Sequence, residues 1–229
     1  MRGLPALKAA AMVTRDTPIT LGARSKPYVS RGGEKLDAAL GDLDVRVQDR
    51  RWLDAGASTG GFTHRLLEGG AAGVVALDVG YGQLDWTLRN HERVVVLERV
   101  NARTLTPVML PWAPEGVVAD LSFISLTIVL PALVAVARED ADFVLLVKPQ
   151  FEVGRGRVGR GGVVRDPELW AGAIAGVVRC AQGLGLALAG VAPSPLAGPA
   201  GNREFFVHLH RGATGDDDAI GAAIEAVRA

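Results

Sequence analysis

Past residue 50 the chain alternates two kinds of apolar segment. Short runs such as Val74-Val75-Ala76-Leu77 and Phe143-Val144-Leu145-Leu146-Val147 are apolar at every position, as a strand must be when helices cover both faces of a parallel sheet. Between them, apolar residues recur at helical spacing. This pattern predicts seven strands at 51–55, 73–79, 94–100, 116–121, 143–148, 186–191 and 204–210, and helices at 61–68, 83–89, 126–138 and 167–182. Strand and helix in alternation specify an α/β protein with a doubly wound, mostly parallel sheet. The last two strands break the rhythm. Residues 193–202 between them are rich in Pro and Gly and lack helical periodicity, so an antiparallel last strand is expected there. The helix at 167 is the best punctuated, with Asp166 as cap, Pro167 in its first turn and Gly183 as its stop.

Composition narrows the setting. The 229 residues, 48% hydrophobic and 22% charged, suffice for one large domain with a full core. Apolar runs end well before the roughly 20 residues of a membrane span, and residues 1–20 lack the apolar stretch of a secretory signal, so no membrane partner is expected. The single cysteine, Cys180, belongs to no disulfide and no zinc-ligand spacing. It reads as a small buried helical residue, in keeping with a reducing, cytoplasmic location and with no metal. Lys+Arg and Asp+Glu balance at 25 each, so any affinity for nucleic acid must be local. Two basic clusters supply it: an N-terminal arm with Arg2, Lys8, Arg15, Arg24, Lys26, Arg31 and Lys35, and a glycine-rich stretch with Arg155, Arg157, Arg160 and Arg165. Asp216, Asp217 and Asp218 mark an acidic C-terminal end.

The stretch Asp54-Ala55-Gly56-Ala57-Ser58-Thr59-Gly60-Gly61-Phe62 follows a strand and opens a helix. Such a turn brings backbone close to a ligand and aims helix N-terminal amides at it. Its spacing lacks the G-x-G-x-x-G of a dinucleotide site and the Gly-Lys-Ser/Thr of a P-loop. Asp78 ends the second strand, where a carboxylate can accept both hydroxyls of a ribose. Asp54 is placed near the amino end of the same ligand, and Asn101 or Arg103 near its base.

Four charged residues stand at strand ends or across from them: Lys35 in S-R-G-G-E-K-L, Asp120 in V-A-D-L-S-F-I-S-L, Lys148 in L-V-K-P-Q-F-E and Glu204 in N-R-E-F-F. Ligands of open α/β sheets bind outside the carboxyl ends of the strands, where Asp120 and Lys148 fall. Glu204 reaches that edge if its strand runs antiparallel, and Lys35 crosses from a preceding helix. Two lysines and two carboxylates suit transfer to a hydroxyl, a poor nucleophile until its proton is drawn off. Lys148 is the candidate base, and the carboxylates can orient the ammonium groups.

The glycine-rich turn resembles the first motif of Rossmann-like class I methyltransferases, with Ser58 at its middle glycine. The order Lys35, Asp120, Lys148, Glu204 resembles the K-D-K-E tetrad of FtsJ-like ribose 2′-O-methyltransferases. The words D-A-G-A-S-T-G-G-F-T, A-L-D-V-G-Y-G-Q-L, D-L-S-F-I-S-L and L-V-K-P-Q-F-E resemble the TlyA (haemolysin A) branch. The resemblance implies S-adenosyl-L-methionine as cofactor, held by Asp54, Gly56, Ser58, Thr59, Gly60, Gly61, Phe62, Asp78 and Asn101. It also implies 2′-O-methylation of cytidine in ribosomal RNA within ribosomal subunits.

The resemblance further implies a small RNA-binding module ahead of the catalytic domain, of which residues 1–27 carry the last part and a linker. The catalytic domain is then 28–212, and 213–229 an acidic tail or helix. Substrate RNA is expected at Lys26, Tyr28, Arg31, Arg155 and Arg157, with Tyr28 as the stacking ring and Trp86, Trp112 and Trp170 as packing residues. Three other readings make different demands. A haemolysin needs a spanning helix, an insertion segment or barrel strands; a small-molecule methyltransferase needs an enclosed apolar pocket; a cofactor-binding assembly factor would keep its RNA affinity when the lysines are changed.

Overall fold

The computed structural model describes residues 27–212 and 218–227. The arm through Lys26, and Asp216 and Asp217, lie outside the described residues. Helix α1 (Arg31–Asp42) leads into β1 (Arg51–Ala55), α2 (Gly61–Glu68), β2 (Gly73–Asp78), α3 (Trp86–Arg89), β3 (Val94–Glu98) and β4 (Gly116–Ala119). There follow α4 (Leu126–Val136), β5 (Asp142–Val147), α5 (Pro149–Glu152), α6 (Pro167–Gly183), β6 (Ala187–Pro193), β7 (Phe205–His210) and α7 (Ala219–Glu225).

The seven strands form one sheet in the order β3-β2-β1-β4-β5-β7-β6. Strands β1 to β5 are parallel, and β7 runs antiparallel between β5 and β6, pairing Val147 with Phe205 and Pro193 with Phe205. The order reverses between β1 and β4, which opens a crevice at their carboxyl ends. Alternation along each strand feeds two cores. Leu53, Val75, Val117 and Leu145 face α4, α6 and α7, whereas Trp52, Val74, Val118 and Leu146 face α1 and α2.

Every expected strand forms, several with shorter ends. The fourth stops at Ala119, not residue 121, and the second and third at Asp78 and Glu98. The helix expected at 83–89 is a single turn from Trp86, because Asp85 caps it by accepting from the Thr87 amide at 2.9 Å. The helix expected at 126–138 ends at Val136, and the Arg138 amide instead donates to Pro114 O at 2.9 Å. Cys180 lies on α6 but is only half-buried, its Sγ 3.6 Å from Thr127 O. Of the tryptophans expected to pack, Trp170 is core at 7% exposed, while Trp86 stands out at 75%. Ala223 and Ile224 of α7 are buried in the core shared with α6, so the packed unit continues past residue 212.

Candidate active site

The turn after β1 is shaped by close approach. Gly56 has φ 89°, and a Cβ there would sit 2.7 Å from Asp120 O. Gly60 (φ 94°) is the N-cap of α2 and adds no side-chain cap of its own. Ser58, at the position where the motif carries glycine, also lies in the left-handed region at φ 47°, a conformation costing a side-chain-bearing residue about 1–2 kcal/mol. Two hydrogen bonds offset this cost. The Ser58 amide donates to Asp78 Oδ2 at 2.8 Å, and its hydroxyl donates to Gln83 Oε1 at 3.3 Å. Asp78 uses its other oxygen to accept from the Gly80 amide at 2.6 Å. One carboxylate thereby braces both loops and keeps lone pairs for a ligand hydroxyl.

A cavity of about 570 Å³ opens beside this turn, lined by Gly56, Ser58, Asp78, Asn101, Arg103 and Phe123 among others. Its size is that of a small-ligand site. Asn101 is exposed there and accepts from the Arg103 amide at 3.0 Å. A second cavity of about 370 Å³ shares Gly56, Ser58, Asp120 and Ser122 with the first and adds Arg31, Lys35, Thr59, Gly61, Phe62, Lys148 and Glu204. The two are one continuous cleft along the crevice of the sheet. Asp54 lines neither. It is fully buried behind the turn, where Oδ2 accepts from Thr63 Oγ1 at 2.6 Å and Oδ1 has no partner. Burial pushes its carboxyl up to about 7, opposed by the Thr63 hydroxyl and helped by the charge of Asp120. In this position Asp54 holds α2 through Thr63 and touches no open part of the cleft.

All four tetrad residues converge on the smaller cavity. Lys35 sits on the buried face of α1, whose start is fixed by Ser30, its hydroxyl accepting from the Gly32 amide at 3.3 Å. The Lys35 ammonium lies 2.5 Å from Glu204 Oε2, with the two side chains 7% and 2% exposed. Glu204 comes to this edge because β7 is antiparallel and begins where β5 ends. Lys148 follows β5 and Asp120 follows β4, neighbouring strands, so their side chains meet: Lys148 Nζ is 2.5 Å from Asp120 Oδ1 and donates to Ser122 Oγ at 3.0 Å.

Among the described residues expected at substrate RNA, only Arg31 lines this cleft. Tyr28 packs over Gly33 and sets its edge against His64, ring centroids 5.5 Å apart. It borders a separate hollow with Glu34, Asp37 and Pro195, and burial together with the Asp37 charge raises its phenol. Arg155 and Arg157 lie in a 3-10 turn, Arg157 exposed.

Three residues of the site, Ser122, Phe123 and Glu152, were given no role by the sequence although they fall within the words D-L-S-F-I-S-L and L-V-K-P-Q-F-E. Phe123 is 93% exposed at the cleft rim, has φ 64°, and packs on Phe151 at 5.3 Å between centroids. Glu152 accepts from Ser125 Oγ and, at 2.8 Å, from the Leu126 amide, tying the Lys148 loop to the Asp120 loop. Burial raises the Glu152 carboxyl, and those two hydrogen bonds oppose the rise.

Strand β7, inserted antiparallel between β5 and β6, separates this sheet from wholly parallel dinucleotide-binding folds. It defines, with the braced turn at β1, a class I methyltransferase dependent on S-adenosylmethionine. Within that class the chain belongs to the FtsJ-like methyltransferases, whose sequence profile matches residues 28–211. It is 56% identical to the 16S/23S rRNA (cytidine-2′-O)-methyltransferase TlyA of Mycobacterium tuberculosis, over 97% of this chain and 85% of that one. The 23S rRNA (cytidine-2′-O)-methyltransferase TlyA of Campylobacter jejuni is 35% identical, over 80% of this chain and 71% of the other. A crystal structure from Lactococcus lactis, described as a hemolysin, superposes with a TM-score of 0.84 at 40% identity, covering 88% of this chain and 99% of that one. Among the described residues no helix is long and apolar enough to cross a membrane.

Proposed function

We propose that this protein methylates the 2′-hydroxyl of cytidine in ribosomal RNA, using S-adenosylmethionine. The observation that carries the reading is the convergence of Lys148, Asp120, Lys35 and Glu204 on a cleft continuous with the glycine-rich turn. The names of the M. tuberculosis and C. jejuni relatives support the nucleotide and the RNA. The residues present fit the cofactor. Gly56 leaves room that a Cβ would fill, Asp78 faces the larger cavity with spare lone pairs, and the N-cap Gly60 puts no side chain over the start of α2. Gly56, Ser58, Asp78 and Asn101 would hold it.

The bound cofactor supplies an electrophilic methyl group. Lys148 receives the ribose hydroxyl, and in its neutral form takes the proton as the oxygen attacks. Asp120 at 2.5 Å and Ser122 at 3.0 Å fix its amine and stabilise the ammonium so formed. Lys35, locked on Glu204, presents a fixed positive charge to the same cavity, preorganised before substrate arrives. The exposed face of Phe123 offers a nucleobase a stacking surface at the rim. This reading locates the protein with ribosomal subunits in the cytoplasm.

The test is transfer of a radiolabelled methyl group from S-adenosylmethionine to isolated unmethylated small and large ribosomal subunits, with Lys148→Ala as control. Label in RNA that the variant abolishes, mapped to a 2′-O position, is the expected result. Cofactor binding without transfer to either subunit would overturn the reading.

A further inference from the structure

The loop that closes the catalytic cleft also walls a second cavity. Pro199 lines the cleft beside Glu204, while the next two residues, Ala200 and Gly201, line a polar hollow of about 300 Å³ with Arg165, Arg203, Val163 and Trp170. Consecutive Cα atoms are about 3.8 Å apart, so this hollow begins within about 8 Å of the cleft wall. Its two arginines are exposed, and neither forms an ion pair with a described carboxylate. The acids adjacent to them in sequence are turned elsewhere. Asp166 accepts from the Glu168 amide at 2.9 Å, and Glu204 is held by Lys35 at 2.5 Å.

The walls are fixed from behind. Asn202, 3% exposed, accepts from the Val164 amide at 2.9 Å and donates to Gly162 O at 2.8 Å. Trp170 Nε1 donates to Val164 O at 2.9 Å. These bonds join the loop before α6 to the loop before β7, so the two arginines stand across one rigid hollow. The backbone under them is therefore preset, and the ordering cost on binding falls on the two side chains.

We propose that Arg165 and Arg203 form a phosphate subsite that holds the RNA backbone next to the target ribose. Guanidinium groups suit phosphate through paired, planar donors. A fixed phosphate one step from the cleft sets strand register without reading sequence. The subsite rests on the RNA-methylation reading, deepening it by naming where the strand beyond the target is gripped.

The experiment measures binding of the full chain to a short single-stranded oligocytidylate across a salt series, for wild type, Arg165→Gln/Arg203→Gln and Arg165→Lys/Arg203→Lys. Each phosphate of a single strand that the protein no longer neutralises lowers the slope of log affinity against log salt by about 0.7. The Gln pair should show that decrease, so that the wild-type advantage shrinks about threefold between about 50 and 200 mM salt. The Lys pair should keep most of the slope, and S-adenosylmethionine affinity should be the same in all three, which separates the effect from misfolding. Equal slopes in wild type and the Gln pair, with methyl transfer to ribosomal subunits intact, would overturn the subsite alone. Inorganic phosphate bound at these arginines with an unchanged RNA slope would also overturn it, as a free-anion site. Absence of methyl transfer by wild type would overturn the reading beneath it and the subsite together.

Discussion

Lys35 and Glu204, 169 residues apart in sequence, form a nearly dry ion pair at 2.5 Å. They join α1 to the first residue before β7, and so close one wall of the cleft. Removing one partner leaves a buried charge uncompensated, which costs about 3–5 kcal/mol. Glu204→Ala and Lys35→Ala should therefore each lower the unfolding midpoint by about 10 °C, taking about 2–4 °C per kcal/mol for a chain of this size. The double variant Lys35→Met/Glu204→Leu should recover much of that stability and none of the methyl transfer. Thermal denaturation beside the transfer assay checks both halves; a double variant less stable than both singles would refute the ion-pair account.

Lys148 is assigned to the ribose hydroxyl, not to the cofactor. Lys148→Ala should leave S-adenosylmethionine affinity within about twofold and reduce kcat by about 10²–10⁴, the span of general acid–base contributions. Ser122→Ala removes one of the two groups that place the amine, and should cost about one hydrogen bond to a charged group, some 1.5–3 kcal/mol in kcat/KM. Calorimetric cofactor binding and single-turnover transfer separate the roles. A large drop in cofactor affinity in Lys148→Ala would reassign it.

The sheet was legible because its strands are apolar runs bounded by Gly, Pro or charge, a signal that survives without tertiary context. That Asp120, Lys148 and Glu204 would meet at one edge of the sheet was legible for the same reason, since all three punctuate strand ends. Side-chain direction was not. Asp54 and Asp78 both sit near strand ends, yet Asp54 faces inward to Thr63 and Asp78 faces the cavity, a difference set by where β1 and β2 stop relative to the α2 packing. Tyr28 reads as an exposed ring among basic residues, but a glycine at 33 lets it lie down on α1. Strand ends were overextended at 121 and 100 because loop residues such as Leu121 and Val100 are apolar too, packing partly buried against the core. The helix at 83–89 was shortened by Asp85, whose capping competes with helical propensity upstream.

Asp78 holds two backbone amides that shape the cofactor turn, at 2.8 and 2.6 Å. Asp78→Ala should release Ser58 from its left-handed conformation and weaken S-adenosylmethionine binding by at least tenfold, since each hydrogen bond to a charged acceptor contributes about 1.5–3 kcal/mol. Asp78→Asn should fall between, because it keeps one acceptor only. A companion change, Ser58→Gly, should be tolerated with unchanged or slightly higher stability, the left-handed strain at φ 47° being relieved. Isothermal titration of the three variants tests the set, and unchanged affinity in Asp78→Ala would remove that residue from the cofactor site.

Asp54 makes stability pH-dependent in a direction opposite to a typical carboxylate. Its folded-state value, about 7, lies above the 3.8 of a free carboxyl because the group is fully buried. The folded state therefore holds a proton that the unfolded chain has already released. The favourable contribution is complete below about pH 4 and disappears as pH rises through about 7, leaving a penalty of order 4 kcal/mol at alkaline pH. Asp54→Asn keeps an acceptor for the Thr63 hydroxyl and carries no charge, so it should match wild type near pH 4 and become progressively more stable than wild type up to about pH 8, with no further gain beyond. Urea midpoints of both proteins across that range measure the divergence. Parallel curves would mean that Asp54 ionises freely in the fold, and that its unpartnered oxygen is reached by solvent.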